Sequence, residues 1–128
     1  PKYGKPLITL EGSGEPTMAK DLDKYIVAVK RRGLKCYMNT NGAALKDKFM
    51  QRIIDAGIDL IRFSLTGYNR ETYKEWMNTD NFQLILANII EAKKYIDKVN
   101  NKCKLYTHHL INNNNNITYE VEQYKKNI

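Results

Sequence analysis

Residues 6–17 read PLITLEGSGEPT, and the parsing of this stretch decides the fold. The apolar run Leu7–Leu10 is too short for a helix and suits a buried strand bounded by turn residues. A loop follows at once. Gly12 and Gly14 give the backbone conformational range and closeness of approach, and Glu15 adds a carboxylate. Pro16 keeps the loop from running straight into a helix. Helical spacing then takes over: Leu22, Tyr25, Ile26 and Val29 stand at i, i+3, i+4 and i+7, and Gly33 closes the segment where a C-terminal glycine is favoured. The stretch is one βα unit with an unusual loop at its hinge.

The unit recurs. LKCYMNTNG (Leu34–Gly42) is a second strand closing on an Asn-Gly turn, followed by a stripe of Phe49, Met50, Ile53 and Ile54 and then Gly57. DLIRFSLTG (Asp59–Gly67) is the third. Asn69 is placed to cap a short helix through about Trp76, and a longer helix carries Phe82, Ile85, Leu86, Ile89, Ile96 and Val99. KLYTHHLI (Lys104–Ile111) is the fourth strand; the asparagine run 112–116 reads as a solvated connection, and Thr118 as the cap of a last helix with Val121 and Tyr124 inward. The strands are expected at about 7–11, 35–39, 60–65 and 104–110.

Alternating strands and helices call for a parallel sheet joined by right-handed crossovers. The expected fold is therefore α/β: four βα units, half of an eight-stranded TIM-like (β/α) barrel or part of a smaller open one. No linker divides residues 1–128, which are expected to form one domain. A half barrel leaves its concave face unpacked and its outer strands as edges. Missing sequence or a partner, self-association included, is expected, and a chain beginning at Pro1 fits a piece of a longer one.

Composition narrows the classes. Of 128 residues 42% are apolar, enough for a core, and no apolar run approaches the roughly 18 residues of a transmembrane helix, so no membrane partner is expected. Nothing resembles a signal peptide. The net charge of +7 comes from lysines spread through every predicted helix, a solvated surface rather than a dense basic block with interleaved aromatics. Nucleic-acid binding is thereby a secondary reading. Cys36 and Cys103 fit no metal-ligand spacing and suit buried strand positions. Two such thiols without an export signal point to a reducing, cytoplasmic setting, although sequence alone leaves a disulfide between them open.

In parallel α/β folds ligands sit beyond the carboxyl ends of the strands. Those ends carry Glu11 with Gly12-Ser13-Gly14-Glu15-Pro16, then Asn39-Thr40-Asn41-Gly42, then Ser64-Leu65-Thr66-Gly67, then His108 and His109. Hydroxyls, amides and carboxylates thus gather on one rim. Alternation in the third strand turns Ile61, Phe63 and Leu65 toward helices and Leu60, Arg62 and Ser64 toward the concave side. Ser64 becomes a candidate ligand contact, while Arg62 either meets an anion or lies solvated. His108 and His109 point to opposite faces of a strand, which argues against a shared metal ion. No metal ligands are assigned.

The glycine loop lacks the third glycine of a dinucleotide fingerprint and the Gly-Lys-Ser/Thr of a P-loop. A better match is carried jointly by SGEP (Ser13–Pro16), TNG (Thr40–Gly42), RFSLTG (Arg62–Gly67) and GYNRETYKEW (Gly67–Trp76). In this order and spacing nearly the whole chain resembles the radical S-adenosylmethionine (SAM) superfamily. That family has a Gly-Gly-Glu-Pro loop after its second barrel strand, with Ser13 here replacing the first glycine. The resemblance implies a cofactor-binding set of Ser13, Gly14, Glu15, Pro16, Thr40, Asn41 and Ser64. The Gly14-Glu15 segment would accept hydrogen bonds from the methionyl ammonium, and Thr40 and Ser64 would donate to its carboxylate or to ribose hydroxyls. Asn41 would brace the turn through its own side chain.

One departure limits this. The family holds a 4Fe–4S cluster with three cysteines spaced Cys-x-x-x-Cys-x-x-Cys before the glycine loop, and reductive cleavage of SAM at that cluster gives a 5′-deoxyadenosyl radical. Neither Cys36 nor Cys103 can replace that triad. The resemblance therefore implies an excised core fragment of a radical SAM enzyme: SAM and cluster belong to the parent protein, none is expected bound to this chain, and the fragment is expected to be inactive alone. The triad is expected upstream in that parent. The alternatives are a non-catalytic barrel-like binding domain and an unrelated α/β-barrel enzyme with Glu11 or Glu15 as base and a histidine as acid. The substrate is not legible.

Overall fold

The computed structural model describes residues 4–111 and 117–128. Strands β1 (Leu7–Leu10), β2 (Lys35–Thr40), β3 (Leu60–Ser64) and β4 (Lys104–His108) form one parallel sheet whose spatial order is the chain order. Helix α1 (Leu22–Arg31) follows β1 after a 3-10 turn at Pro16–Met18; α2 (Asp47–Asp55) follows β2; α3 (Arg70–Met77) and α4 (Phe82–Lys98) follow β3; α5 (Ile117–Asn127) follows β4. This is the expected α/β arrangement of four βα units.

Strand alternation divides the sheet into two unlike faces. On one, Cys36, Met38, Ile61 and Phe63 are fully buried against Leu22 and Ile26 of α1, Met50, Ile53 and Ile54 of α2, and Phe82, Ile85, Ala92 and Ile96 of α4. The other carries Tyr37, Asn39, Leu60, Arg62, Ser64, Tyr106 and His108, all half-buried or exposed. In register, Asn39 stands beside Arg62 and Ser64 beside His108 on this uncovered side. Arg62 is exposed, so it has no need of the buried anion that an inward position would demand.

Chain turns follow local chemistry. Asn69 caps α3, its side chain accepting from the Thr72 N–H at 2.9 Å while Thr72 Oγ1 accepts from the Asn69 N–H at 3.1 Å, a reciprocal capping box. Several expectations move. β1 ends at Leu10 and β4 at His108, short of 11 and 110, β3 ends at Ser64 rather than 65, and β2 runs one residue further, to Thr40. Tyr25 is 58% exposed, because Leu22 and Ile26 already fill the α1 seam. Val99 lies past the end of α4 and is exposed. Thr118 is the second residue of α5 rather than its cap, and the buried residue of that helix is Glu120. The asparagine run 112–116 lies outside the described residues.

Candidate functional site at the carboxyl end of the sheet

A cleft of about 260 Å³ opens at the carboxyl ends of β1, β2 and β3. It is lined by Glu11, Gly12, Gly14, Glu15, Pro16, Asn39, Thr40, Asn41 and Ser64. A second hollow of about 290 Å³ shares Glu11, Gly12, Gly14, Glu15 and Pro16 and continues toward Ala19 and Leu22. Together they reach the size range of ordinary small-molecule pockets. Six of the seven residues singled out by resemblance line the cleft; Ser13 is exposed and does not. Neither histidine lines it. His108 is exposed, and His109 is half-buried with its side chain tucked toward α5, where Nδ1 accepts from the Gly67 N–H at 3.0 Å and its ring stacks on Tyr124 at 4.7 Å.

Glu15 organises the loop. Its Oε1 accepts from the Thr17 N–H (3.1 Å), the Thr17 hydroxyl (2.7 Å) and the Thr40 hydroxyl (2.5 Å), and its Oε2 from the Asn41 N–H (2.8 Å). Thr40 Oγ1 in turn accepts from the Gly42 N–H at 3.0 Å. Burial by itself pushes the Glu15 carboxyl up; the Asn41 N–H, then the Thr40 and Thr17 donors, outweigh it and hold the group below its ordinary value. A carboxylate so held is a weak proton acceptor, which disfavours a general-base role. Thr40 is buried with its hydroxyl engaged inside the protein, while Ser64 stays half-buried on the cleft. Asn41 Oδ1 accepts from the Ala43 N–H at 2.9 Å, the turn-bracing contact its position suggested.

The glycines divide into two kinds. Gly42 has φ +78°, and a Cβ there would lie 2.7 Å from Phe63 Cδ1; Gly67 has φ +96°, and a Cβ would lie 2.5 Å from the Tyr73 nitrogen. The fold itself demands glycine at both positions. Gly12 and Gly14 are different: neither is in the left-handed region, and no heavy atom lies within 4 Å of where a Cβ would stand. Nothing in the described fold requires them. Their bare backbones face open space along the cleft.

Three further residues support the site. Thr17 completes the Glu15 clasp. Asn39, in the strand beside Glu11, donates its side-chain amide to Glu11 Oε2. Asn88, in the middle of α4, donates its buried amide to the carbonyls of Gly42 (2.8 Å) and Ala43 (3.2 Å), anchoring the turn after β2 from behind. Position at the strand end already put Asn39 on the rim. Thr17 and Asn88 are visible only in three dimensions.

The chain's own residues do not suit an iron–sulfur cluster. Cys36 and Cys103 are free and sit at the opposite, amino-terminal end of the sheet. Burial, reinforced by the nearby Asp59 charge, pushes their thiols up to about 11 and about 12, away from the thiolate that ligation needs. Among the described residues no group of three or more His, Cys, Asp or Glu side chains could hold a metal ion. No helix among them is long and apolar enough to cross a membrane.

Comparison with known proteins places the chain in a family. A family model described as the radical SAM superfamily matches residues 3–120. A protein of Methanocaldococcus jannaschii is 36% identical over 98 residues, 77% of this chain and 31% of that protein. A "Probable GTP 3′,8-cyclase" of Metallosphaera sedula is 34% identical over 93 residues, 72% of this chain and 29% of the relative. One of Thermococcus kodakarensis is 33% identical over 86 residues, 67% and 28% of the two chains. The chain thus spans about three-tenths of the length of these relatives.

Proposed function

Because this chain belongs to the radical SAM superfamily, we propose that its carboxyl-end cleft is the SAM-binding part of an enzyme that cleaves SAM reductively to a 5′-deoxyadenosyl radical. The observation that carries this reading is the pair of unforced glycines. Gly12 and Gly14 leave room beside two carboxylates, Glu11 and Glu15, where a ligand's polar end can approach backbone carbonyls without a side chain in the way. Gly14, Glu15 and Pro16 form the loop, with Ser13 as spacer between the glycines. Thr40 and Asn41 fix that loop to β2, and Ser64 offers a hydroxyl from β3. When bound to a reduced 4Fe–4S cluster, SAM supplies the radical chemistry; the cluster ligands belong to another part of the polypeptide.

The acid–base alternative lacks support, since no histidine lines the cleft and Glu15 is held ionised by four donors. The substrate belongs to the rest of the polypeptide, because the overlap with the GTP 3′,8-cyclases covers less than a third of their length. Two buried free thiols fit a cytoplasmic setting. The uncovered sheet face fits closure by further strands of the same polypeptide or, for the isolated chain, self-association. Anaerobic reconstitution of the polypeptide as the cell makes it, followed by dithionite and SAM, should yield 5′-deoxyadenosine. Gly12→Ala and Gly14→Ala should fold normally and lose that product. Full iron and sulfide loading without SAM cleavage in the unsubstituted protein would refute the proposal.

A further inference from the structure

Helix α5 docks without an apolar seam. Among the described residues its one buried residue is Glu120, a carboxylate, while Val121 and Tyr124 are only half-buried. What the helix meets is His109, just past the end of β4. The side chains of His109 and Glu120 are 7% and 9% exposed, and His109 Nε2 lies 3.8 Å from Glu120 Oε1, an electrostatic distance rather than a hydrogen bond. The imidazole stacks on Tyr124 with ring centroids 4.7 Å apart. Its other nitrogen, Nδ1, accepts from the Gly67 N–H at 3.0 Å. The ring thus ties α5 to the turn after β3, where Tyr68 also meets Tyr119 of α5 edge-on at 6.3 Å.

An Nδ1 that accepts a hydrogen bond carries no proton, so the ring in this contact is neutral, with its hydrogen on Nε2. A second proton would have to go to Nδ1, where it would face the Gly67 N–H donor to donor. Gly67 cannot step back: it has φ +96°, and the Tyr73 nitrogen lies 2.5 Å from where a Cβ would stand. The ring must give way instead, and the stack on Tyr124 goes with it. We propose that His109 is a proton-sensitive latch that docks α5 when neutral and releases it when protonated. The latch stands independently of the cofactor reading above. The groups facing the ring are Glu120 and Tyr124 from α5, His108 from its own strand, and the Gly67 N–H and Tyr68 from the turn. Residues 112–116 are all asparagine and bring no titratable side chain. Burial pushes the His109 imidazole below its ordinary 6.5, the Glu120 charge pulls the other way, and His108 adds to the lowering. A lowered folded value means that the latch is fully engaged above about pH 6.5 and is lost as pH falls through that folded value.

Two measurements on the polypeptide as the cell makes it test the latch. Heteronuclear NMR of labelled histidine at neutral pH should find the His109 hydrogen on Nε2 alone. Amide exchange in α5, corrected for its intrinsic pH dependence, should quicken about five- to tenfold between about pH 7.5 and about pH 5.5, with α1, α2 and α4 constant within about twofold. Glu120→Gln removes the charge that favours the imidazolium and should move the α5 transition to lower pH. His109→Asn offers Gly67 an acceptor that takes no proton. Whether that smaller side chain docks α5 fully or in part, its α5 exchange should be equal at the two pH values within about twofold. His108→Gln should leave the transition in place. An Nδ1–H tautomer at neutral pH, or an α5 whose exchange ignores pH, would overturn the latch. So would a transition that survives in His109→Asn, that Glu120→Gln moves upward, or that His108→Gln abolishes.

Discussion

The two ends of the sheet each carry a buried-side carboxylate held ionised, and they achieve it by opposite means. At the amino end Asp59, just before β3, bonds Lys30 Nζ at 2.5 Å, Lys35 Nζ at 3.0 Å and the Cys36 N–H at 2.9 Å. Burial alone pushes the Asp59 carboxyl up, and these donors outweigh it. At the carboxyl end Glu15 is held by hydroxyls and backbone N–H groups, with no salt bridge among the described residues. One end is internally neutralised and complete. The other carries negative charge that no salt bridge among the described residues compensates.

The largest effect expected is on stability at the neutralised end. Asp59→Ala strands the half-buried Lys30 and the Cys36 N–H, and should lower the unfolding free energy by about 2–3 kcal/mol in urea titration while leaving SAM affinity within about twofold. Thr40→Val at the open end removes one donor to Glu15 and the acceptor for the Gly42 N–H, for a loss of about 1–2 kcal/mol. If Thr40→Val costs more than Asp59→Ala, the contrast between the ends is misdrawn.

Salt sharpens it by a smaller margin. The Asp59→Ala difference should shrink in 1 M NaCl, because Lys35 is largely exposed, whereas the Thr40→Val difference should not. Acid gives the finest distinction. Both carboxyls have folded values below their ordinary 4.5 for Glu15 and 3.8 for Asp59, so their stabilisation is complete above those values and is lost as pH falls through the depressed ones. Glu15→Gln should flatten the stability curve from about pH 4.5 downward, and Asp59→Asn only from about pH 3.8 downward. Identical curves for the two variants would erase the distinction.

Most of the fold was legible because period and punctuation agree. Two-residue alternation in LIRFSL placed Ile61 and Phe63 in the core and Ser64 on the cleft, and the 3.6-residue stripes found Ile26, Ile53 and Ile85. The rim was legible for the same reason, since strand ends can be counted. What escaped depends on pairs distant in sequence. Thr40 reaches Glu15 across 25 positions and Asn88 reaches Gly42 across 46, and no local pattern announces either. His109 was misplaced as a rim residue because β4 stops one residue before it and the chain turns its ring toward α5. Nor could letters separate the two kinds of glycine. Gly42 and Gly67 answer to Phe63 and Tyr73, whereas Gly12 and Gly14 answer to nothing within the described chain.

A sheet laid down in chain order has a consequence for biosynthesis. Each new strand finds its neighbour already in place, so every unit can dock on the one made just before it as the polypeptide leaves the ribosome. The cleft takes its lining from Glu11 to Ser64, which means that its walls are finished while β4 is still being translated. Within the described sheet the cleft lining therefore precedes the edge strand β4 in order of synthesis.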